Sequence, residues 1–268
     1  MPDLIANGLT LHYQWQGRED GPTLVFVNGL LTDLSSWNGH LPHFTERFHC
    51  LTYDCRGQGG SDKPDDGPYT PALHAADLAG LLDELNLKQA ALLGVSSGGC
   101  VALQYAVDHP DRVNALVLAN VYGRADTVMN VKLNSWDAAM TAGGGPLRFD
   151  VSSPWIWGAS YLNANFAALK PWRERGTTLP AHAVHHLIRG SMEFDVLEQA
   201  ANVTCPTLLM TGDEDVLTPV SYAHDLQRRI AGSRIAMLEQ AGHCMFLERT
   251  TRFCQVASEF LNAVPLEG

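Results

Sequence analysis

The chain is short of charge, above all of positive charge. Only 18% of its 268 residues are charged, and 18 Lys and Arg stand against 29 Asp and Glu, so the formal net charge is -11. An acidic surface repels phosphate backbones and anionic lipid headgroups. The composition therefore predicts that neither nucleic acid nor a membrane is a partner.

Long apolar runs and paired cysteines are also missing. No stretch approaches the roughly 18 apolar residues that cross a bilayer, and Met1–Asn7 lacks the basic start and the apolar run of a secretory signal. The cysteines show no spacing typical of a disulfide framework or a zinc site; they lie at positions 50, 55, 100, 205, 244 and 254. We therefore expect reduced thiols and a cytoplasmic location.

Apolar residues are plentiful, at 46%, and they occur in short runs that alternate with helix-length amphipathic segments. This alternation predicts the α/β class, with a mostly parallel sheet flanked by helices. The predicted strands are Leu9–Trp15, Thr23–Asn28, Cys50–Asp54, Ala90–Val95, Val113–Ala119, Thr207–Thr211 and Arg234–Leu238. The predicted helices are Pro71–Leu85, Gly98–Val107, Pro219–Ile230 and Thr250–Ala263.

Residues 122–202 break this alternation. They contain no strand pattern, yet they hold four of the six tryptophans. Structureless loops longer than about 15 residues are uncommon in compact domains. We therefore predict a helical cap over residues 122–202, inserted into a core built from residues 1–121 and 203–268.

The sequence Gly94-Val95-Ser96-Ser97-Gly98 lies between a predicted strand and a predicted helix. In that context a glycine-flanked serine is typical of a nucleophile elbow, a sharp turn that exposes the hydroxyl at the edge of the sheet. The alternative is an ordinary serine in a glycine-rich turn. The position between strand and helix favours Ser96 as a nucleophile.

A serine hydroxyl is a weak nucleophile, so it needs a base, and the base needs a carboxylate that orients it. His243 follows the last predicted strand and Asp215 follows the strand before it, at the carboxyl edge where α/β sheets build their sites. The chain order Ser, Asp, His is also the expected one. We predict His243 as the base and Asp215 as its carboxylate, with Asp213 and Glu214 as alternatives to Asp215.

Acyl transfer also needs N–H donors for the developing oxyanion. The Ser97 amide opens a predicted helix, where the helix dipole assists. A second amide is expected from the loop after Thr23–Asn28, and we assign it to Leu30. A simple glycine turn is the alternative for that loop.

Three histidines of the predicted cap, His182, His185 and His186, have the spacing of one helix face and could bind a metal there. No matching carboxylate or cysteine accompanies them. We therefore predict no metal site.

With these residues identified, the chain resembles the α/β-hydrolase superfamily over nearly its whole length. Asp54–Ser61 is similar to the family's D-x-R-G-x-G-x-S turn, which is structural in relatives. Tyr53–Gly59, followed by Gly67-Pro68-Tyr69-Thr70, is most similar to the 3-oxoadipate enol-lactonases, among carboxylesterase-like serine hydrolases. The enol-lactonases open a small anionic lactone with the same triad and no cofactor. The resemblance thus implies the α/β-hydrolase fold, ester or lactone hydrolysis through an acyl-enzyme, and no cofactor.

Three positions depart from the family pattern. Asn28 and Gln58 stand where histidines are usual, and Cys100 stands where methionine is frequent. Val27-Asn28-Gly29 also resembles acyltransferases that move 3-hydroxyacyl groups. Acyl transfer and carbon–carbon bond hydrolysis on the same triad therefore remain alternatives, as does a ligand-binding, receptor-like protein with vestigial turnover.

The aromatic residues indicate an apolar pocket for a small-molecule ester or lactone. The candidate wall residues are Trp37, Trp155 and Trp157, and an anionic substrate would need a cation, for which the candidates are Arg124, Lys132 and Arg148. The sequence leaves open the chain length and stereochemistry of the substrate. It also leaves open whether the protein is a homodimer.

Overall fold

The strands form one eight-stranded sheet in the computed structural model, which describes residues 2–175 and 178–266. The strands are β1 (Asp3–Ala6), β2 (Leu9–Gly17), β3 (Thr23–Val27), β4 (His49–Tyr53), β5 (Ala90–Val95), β6 (Val113–Ala119), β7 (Thr207–Gly212) and β8 (Arg234–Leu238). Their order in the sheet is β1-β2-β4-β3-β5-β6-β7-β8. Strand β2 pairs antiparallel with β1 and β4, and all other pairs are parallel. The predicted mostly parallel sheet is confirmed.

Helices cover the sheet. They are α1 (Pro71–Glu84), α2 (Ser97–Asp108), α3 (Thr127–Ile156), α4 (Ala159–Asn165), α5 (Lys170–Arg175), α6 (Ala181–Ser191), α7 (Val220–Gln227), α8 (Met245–Glu248) and α9 (Thr250–Ala263). None of these helices combines the length and the apolar composition that crossing a membrane requires.

The central strands are buried on both faces. Every residue of β5 is buried, with Leu92 in the core on one face of the sheet and Ala91 and Leu93 in the core on the other. The alternation has the period of two that a strand imposes. A continuous apolar run is therefore what a parallel strand between two helical layers needs.

Most predicted elements agree with the structure to within a few residues, and two short ones were not predicted. Strand β1 has only four residues at the edge of the sheet, too few for an alternating pattern to stand out in the sequence. Helix α8 has four residues, too few for a periodic pattern. The helix predicted over 219–230 is shorter in the structure, because Pro219 precedes it and the helix ends at Gln227.

The chain between β6 and β7 is helical and holds α3 to α6. Helix α3 is interrupted at Gly143 and Gly144, whose backbone angles are not helical. Asp137 of α3 binds His185 at 2.5 Å and Arg189 at 3.0 Å, which ties α3 to α6. We call residues 122–202 the helical segment; its residues 176 and 177, like Met1, lie outside the described residues. The division of the chain into a core and a cap stays a prediction.

Candidate active site

Ser96 occupies a sharp turn between β5 and α2. Its φ of 53° lies in the left-handed region, which non-glycine residues rarely adopt. The turn fits against the end of β3 because position 98 is glycine: a Cβ at Gly98 would come within 2.3 Å of the carbonyl oxygens of Val27 and Asn28. The strained turn holds the Ser96 hydroxyl at the carboxyl edge of the sheet.

At this edge of the sheet, the connection that leaves β3 and the connection that leaves β5 run in opposite directions. Strands β3 and β5 are neighbours, with β4 on the far side of β3 and β6 on the far side of β5. Ligands bind at such switch points in α/β sheets. The loops after β3, β5, β7 and β8 bring Leu30, Ser96, Asp215 and His243 to the same edge.

Ser96, His243 and Asp215 form one hydrogen-bonded chain. The Ser96 Oγ lies 2.7 Å from His243 Nε2, and His243 Nδ1 lies 2.9 Å from Asp215 Oδ2. Because a carboxylate only accepts hydrogen bonds, the proton between them belongs to Nδ1, which leaves Nε2 free to accept from the serine. The side chains of His243 and Asp215 are only 6% and 0% exposed, so water competes little for these bonds.

Both oxygens of the Asp215 carboxylate accept hydrogen bonds from neighbouring residues. It accepts the Leu217 N–H at 2.9 Å, the Thr218 N–H at 2.8 Å and the Thr218 hydroxyl at 2.6 Å, and it also accepts the Asn120 side-chain amide. Burial by itself would raise the pKa of Asp215, but His243 and these hydrogen bonds lower the pKa below its ordinary value. Asp215 therefore stays ionised and fixed beside the imidazole.

The other carboxylates of this loop bind elsewhere. Asp213 accepts the Ala241 N–H at 3.2 Å. Glu214 accepts the Ser160 N–H at 2.8 Å and also the Ser160 hydroxyl. The geometry favours Asp215 over both alternatives as the partner of His243.

Sequence reasoning missed Asn120 and Thr218. The Thr218 hydroxyl lies 3.0 Å from His243 Nδ1, so it touches both members of the Asp215–His243 pair. The sequence position of each residue could have indicated it. Asn120 directly follows β6, as Ser96 follows β5, and Thr218 comes three residues after Asp215, the spacing at which an Asp side chain caps a turn.

Leu30 and Ser97 are the residues predicted to supply the oxyanion amides. Both residues line the same cavity as Ser96 and His243. Neither N–H donates a hydrogen bond to any residue that the structure describes. The loop that carries Leu30 is held by Gln58, whose Oε1 accepts the Thr32 N–H at 2.9 Å.

Two connected cavities open at this edge. The inner one, about 90 Å³, is lined by Ser96 and His243 and has an apolar wall of Met129, Leu133 and Trp136. The outer one, about 740 Å³, leads to solvent, and its aromatic wall residues are Phe149, Trp157, Trp172 and Phe246. The two share Leu30, Leu31, Thr32, Arg148, Ile156, Cys244 and Phe246.

Of the three tryptophans predicted in the pocket wall, the structure places only Trp157 there. Trp37 is instead fully buried against Phe26, with its Nε1 donating to Asn28 Oδ1 at 2.8 Å. Trp155 is 36% exposed, with the Lys132 ammonium 5.0 Å from its ring centroid. The prediction is corrected for Trp37, which packs in the core. It is also corrected for Trp155, which lies two positions before Trp157, because helical residues two positions apart do not face the same way.

Of the three candidate cations, Arg148 alone lines the cavities. Arg124 pairs with Asp195 at 2.8 Å, and the Lys132 ammonium donates to the carbonyls of Val216 and Leu217. Arg148 is 7% exposed, and within the part of the chain that the structure describes it makes one hydrogen bond, at 3.4 Å to Ser152 Oγ.

No carboxylate of the described residues pairs with Arg148, although it lies at the junction of the two cavities. Burial lowers the pKa of Arg148 to about 10, so the guanidinium is still charged at neutral pH. An uncompensated buried charge is costly. The site therefore contains a cation that has no carboxylate partner among the described residues.

The three histidines of α6 do not converge. His182 Nε2 lies 3.0 Å from the Lys63 carbonyl, His186 Nε2 lies 2.9 Å from the Asp65 carbonyl, and His185 binds Asp137. The structure describes no group of three or more residues that could hold a metal ion. These histidines tie α6 to neighbouring segments.

The fold and this site have the features of an α/β hydrolase. A family model for the alpha/beta hydrolase fold matches residues 22–250. The chain belongs to the α/β-hydrolase family, and the resemblance seen in its motifs is confirmed.

Relatives that match nearly the whole chain are named as hydrolases. The chain is 28% identical to 3-oxoadipate enol-lactonase 1 of Acinetobacter baylyi over 97% of each chain, and 26% identical to the putative carbamate hydrolase RutD of Caulobacter sp. over 91% of each. The crystal structure of the enol-lactonase from Burkholderia xenovorans superimposes with a TM-score of 0.89 at 27% identity, covering 97% of this chain and 100% of that one. An α/β hydrolase from a deep-sea metagenome library has a TM-score of 0.93 over 100% of this chain and 99% of the other; at 23% identity it shows the fold alone. These relatives support a hydrolase.

Proposed function

We propose that this protein is a serine hydrolase that cleaves a carboxylic ester or a lactone through an acyl-enzyme. One observation carries the proposal: Ser96 Oγ, His243 and Asp215 form an unbroken hydrogen-bonded chain at the mouth of a cavity. The strained turn at Ser96 and the two amides at Leu30 and Ser97 complete the set of groups that acyl transfer needs.

In the first half of the reaction, Ser96 Oγ attacks the carbonyl carbon while His243 Nε2 takes the hydroxyl proton. The Leu30 and Ser97 N–H groups bind the oxyanion of the tetrahedral intermediate. His243 then gives the proton to the departing alkoxide, the carbon–oxygen bond breaks, and an acyl-Ser96 ester remains. Asp215 stabilises the imidazolium throughout.

In the second half, water attacks the acyl-enzyme and His243 takes its proton. Collapse of the second tetrahedral intermediate returns that proton to Ser96 Oγ and releases the acid. For a lactone, the alkoxide of the first step stays attached to the acyl group, so a hydroxy acid leaves.

The substrate of this proposal carries a carboxylate besides the scissile carbonyl. Arg148 lines both cavities, is buried, and has no carboxylate partner among the described residues. A bidentate bond from a substrate carboxylate would compensate that charge and orient the carbonyl toward Ser96. Enol-lactonases among the relatives agree with an acidic lactone.

We further propose that the helical segment is a cap for this site. Trp136, Arg148 and Ile156 of α3 line the inner cavity, whereas Ser96 and His243 come from loops of the sheet. Substrate selection would then depend on α3, and the chemistry on the core.

A carbamate is a second candidate substrate, because relatives named as putative carbamate hydrolases match over nearly the whole chain. Its carbonyl presents the same geometry to Ser96 and to the two amides.

A substrate panel tests the proposal. Wild type and Ser96→Ala would be assayed against p-nitrophenyl esters with neutral and acidic acyl groups, lactones with and without a carboxylate, and a carbamate. We expect acidic esters or lactones to be preferred, and the variant to lose roughly 10⁵- to 10⁶-fold in kcat. Retention of most activity by Ser96→Ala would refute the proposal. Turnover only with an acyl acceptor other than water would move the assignment to acyl transfer.

A further inference from the structure

Glu248 is a buried carboxylate that the proposed chemistry does not use. It is 7% exposed, its Oε2 accepts the Gly242 N–H at 2.8 Å, and both its oxygens lie 3.3 Å from the Gly158 nitrogen. Gly242 directly precedes His243, and Gly158 directly precedes α4. One carboxylate therefore joins the loop of the histidine to the helical segment.

Two further contacts join the same parts of the molecule. Glu214, which directly precedes Asp215, accepts the N–H of Ser160 at 2.8 Å and its hydroxyl. The N–H of Cys244, which directly follows His243, donates to the Ile156 carbonyl at 2.8 Å. The stretch from Ile156 to Ser160 is thus bound to both the loop that carries Asp215 and the loop that carries His243.

The backbones at this junction touch directly. A Cβ at Gly158 would come within 2.7 Å of a Glu214 oxygen, 2.8 Å of the Gly242 nitrogen and 2.9 Å of a Glu248 oxygen. A Cβ at Gly242 would lie 2.1 Å from the Gly158 nitrogen. Because there is no space between the segment at Gly158 and the loop at Gly242, a shift of one must move the other.

We propose that Glu248 is a positioning residue for His243 and that, together with Glu214, it couples the seating of the helical segment to the alignment of His243 with Ser96. The inference rests on the proposed function of the triad. Contacts that a substrate makes with α3 would reach the base through this junction, which makes the segment a part of the catalytic geometry as well as of the pocket.

Charge provides the second effect of Glu248. Its carboxylate lies close enough to His243 to stabilise the imidazolium that forms during catalysis. Burial raises the pKa of Glu248, an effect that the Gly242 and Gly158 amides, Arg249 and His243 oppose. The ionisable groups that face Glu248 from the surrounding elements are His243, Cys244, Arg249, Tyr161 and Glu214.

Glu248→Gln tests both effects, because glutamine keeps the shape but loses the charge and one of the two acceptor oxygens. The matched control is Glu239→Gln, which removes an exposed carboxylate from the stretch before the histidine. We expect Glu248→Gln to lower kcat roughly 10- to 100-fold with KM little changed, and to move the acidic limb of the kcat/KM profile to lower pH. Glu239→Gln should match the wild type.

The pH dependence of Ser96 phosphonylation by a fluorophosphonate measures the same effect without turnover. Its acidic limb should lie at lower pH in Glu248→Gln than in the wild type and the control. A kcat loss with an unchanged acidic limb would overturn the positioning role and leave a structural one. Because phosphonylation needs no substrate, it also separates this inference from failure of the proposed function, which would show as an unlabelled wild type.

Gly158→Ala tests the coupling without replacing either carboxylate, and it decides the question if Glu248→Gln does not fold. The added methyl group would push the helical segment away from both loops. Gly39→Ala is the control, since a Cβ at Gly39 meets nothing within 4 Å. We expect kcat to fall in Gly158→Ala only; equal kcat in both folded variants would overturn the coupling.

Discussion

Replacing Arg148 by methionine tests what the buried cation is for. Methionine keeps much of the side-chain volume and removes the charge. A hydrogen bond to a charged group contributes about 1.5–3 kcal/mol, and each factor of ten in rate corresponds to about 1.4 kcal/mol. For a substrate whose acid part carries a carboxylate, kcat/KM should therefore fall roughly 10- to 150-fold. An uncharged substrate of the same size makes no such bond and should react as before.

The assay compares p-nitrophenyl hydrogen glutarate with p-nitrophenyl valerate, and Arg124→Gln serves as the control because Arg124 pairs with Asp195 on the surface. Thermal unfolding gives an independent reading. Since Arg148 is a buried charge with no carboxylate partner among the described residues, its removal should leave Tm unchanged or raise it. Equal losses on both esters, or a marked fall in Tm, would refute the role of Arg148 as the binding site of a substrate carboxylate.

Two further predictions concern buried ionisable groups. Burial lowers the pKa of His74 from 6.5 to about 4, so as the pH falls the unfolded chain takes up a proton on His74 before the folded protein does. The folding stability present above pH 6.5 should therefore decrease by up to about 3 kcal/mol as the pH approaches 4. Urea unfolding of wild type and His74→Phe at neutral and acidic pH measures this loss, and an equal loss in both proteins would contradict it. Cys244 lies beside His243, but burial and the charges of Glu248 and Asp215 raise its pKa well above the ordinary value; we expect iodoacetamide at neutral pH to leave activity intact, and rapid inactivation with alkylated Cys244 would disprove this.

Much of the fold could be predicted because the central parallel strands are buried on both faces. Such strands must be apolar throughout, and β5 and β6 have the predicted bounds. Strand β1 and helix α8 each have only four residues, so neither shows a period in the sequence. Strand β1 pairs with the adjacent β2 across Asn7-Gly8, a dipeptide typical of hairpin turns, so its signal lies in the turn and not in the strand itself.

The candidate triad could be predicted for a related reason. Ser96 and Asp215 follow buried strands and His243 follows the edge strand β8; the carboxyl ends of these parallel strands meet at one edge. The same rule would have indicated Asn120. It could not have indicated Glu248, which lies in a short helix and acts through the backbone amides of Gly242, six residues before it, and of the distant Gly158.

The pocket was the least predictable part. Trp37, Trp155 and Trp157 look alike in the sequence, yet one packs in the core, one lies on the surface and one lines the outer cavity. Similarly, Arg124, Lys132 and Arg148 differ only in what surrounds them after folding. Side-chain direction in a helical segment without a repeating apolar face depends on tertiary packing.

The most direct test of the central claim is the reaction of the protein with a fluorophosphonate, followed by mass spectrometry of its peptides. If His243 and Asp215 activate Ser96, the wild type should carry a single phosphonate adduct on Ser96, and the Ser96→Ala variant should carry none. A folded wild type without an adduct, or with its adduct on another residue, would contradict the account.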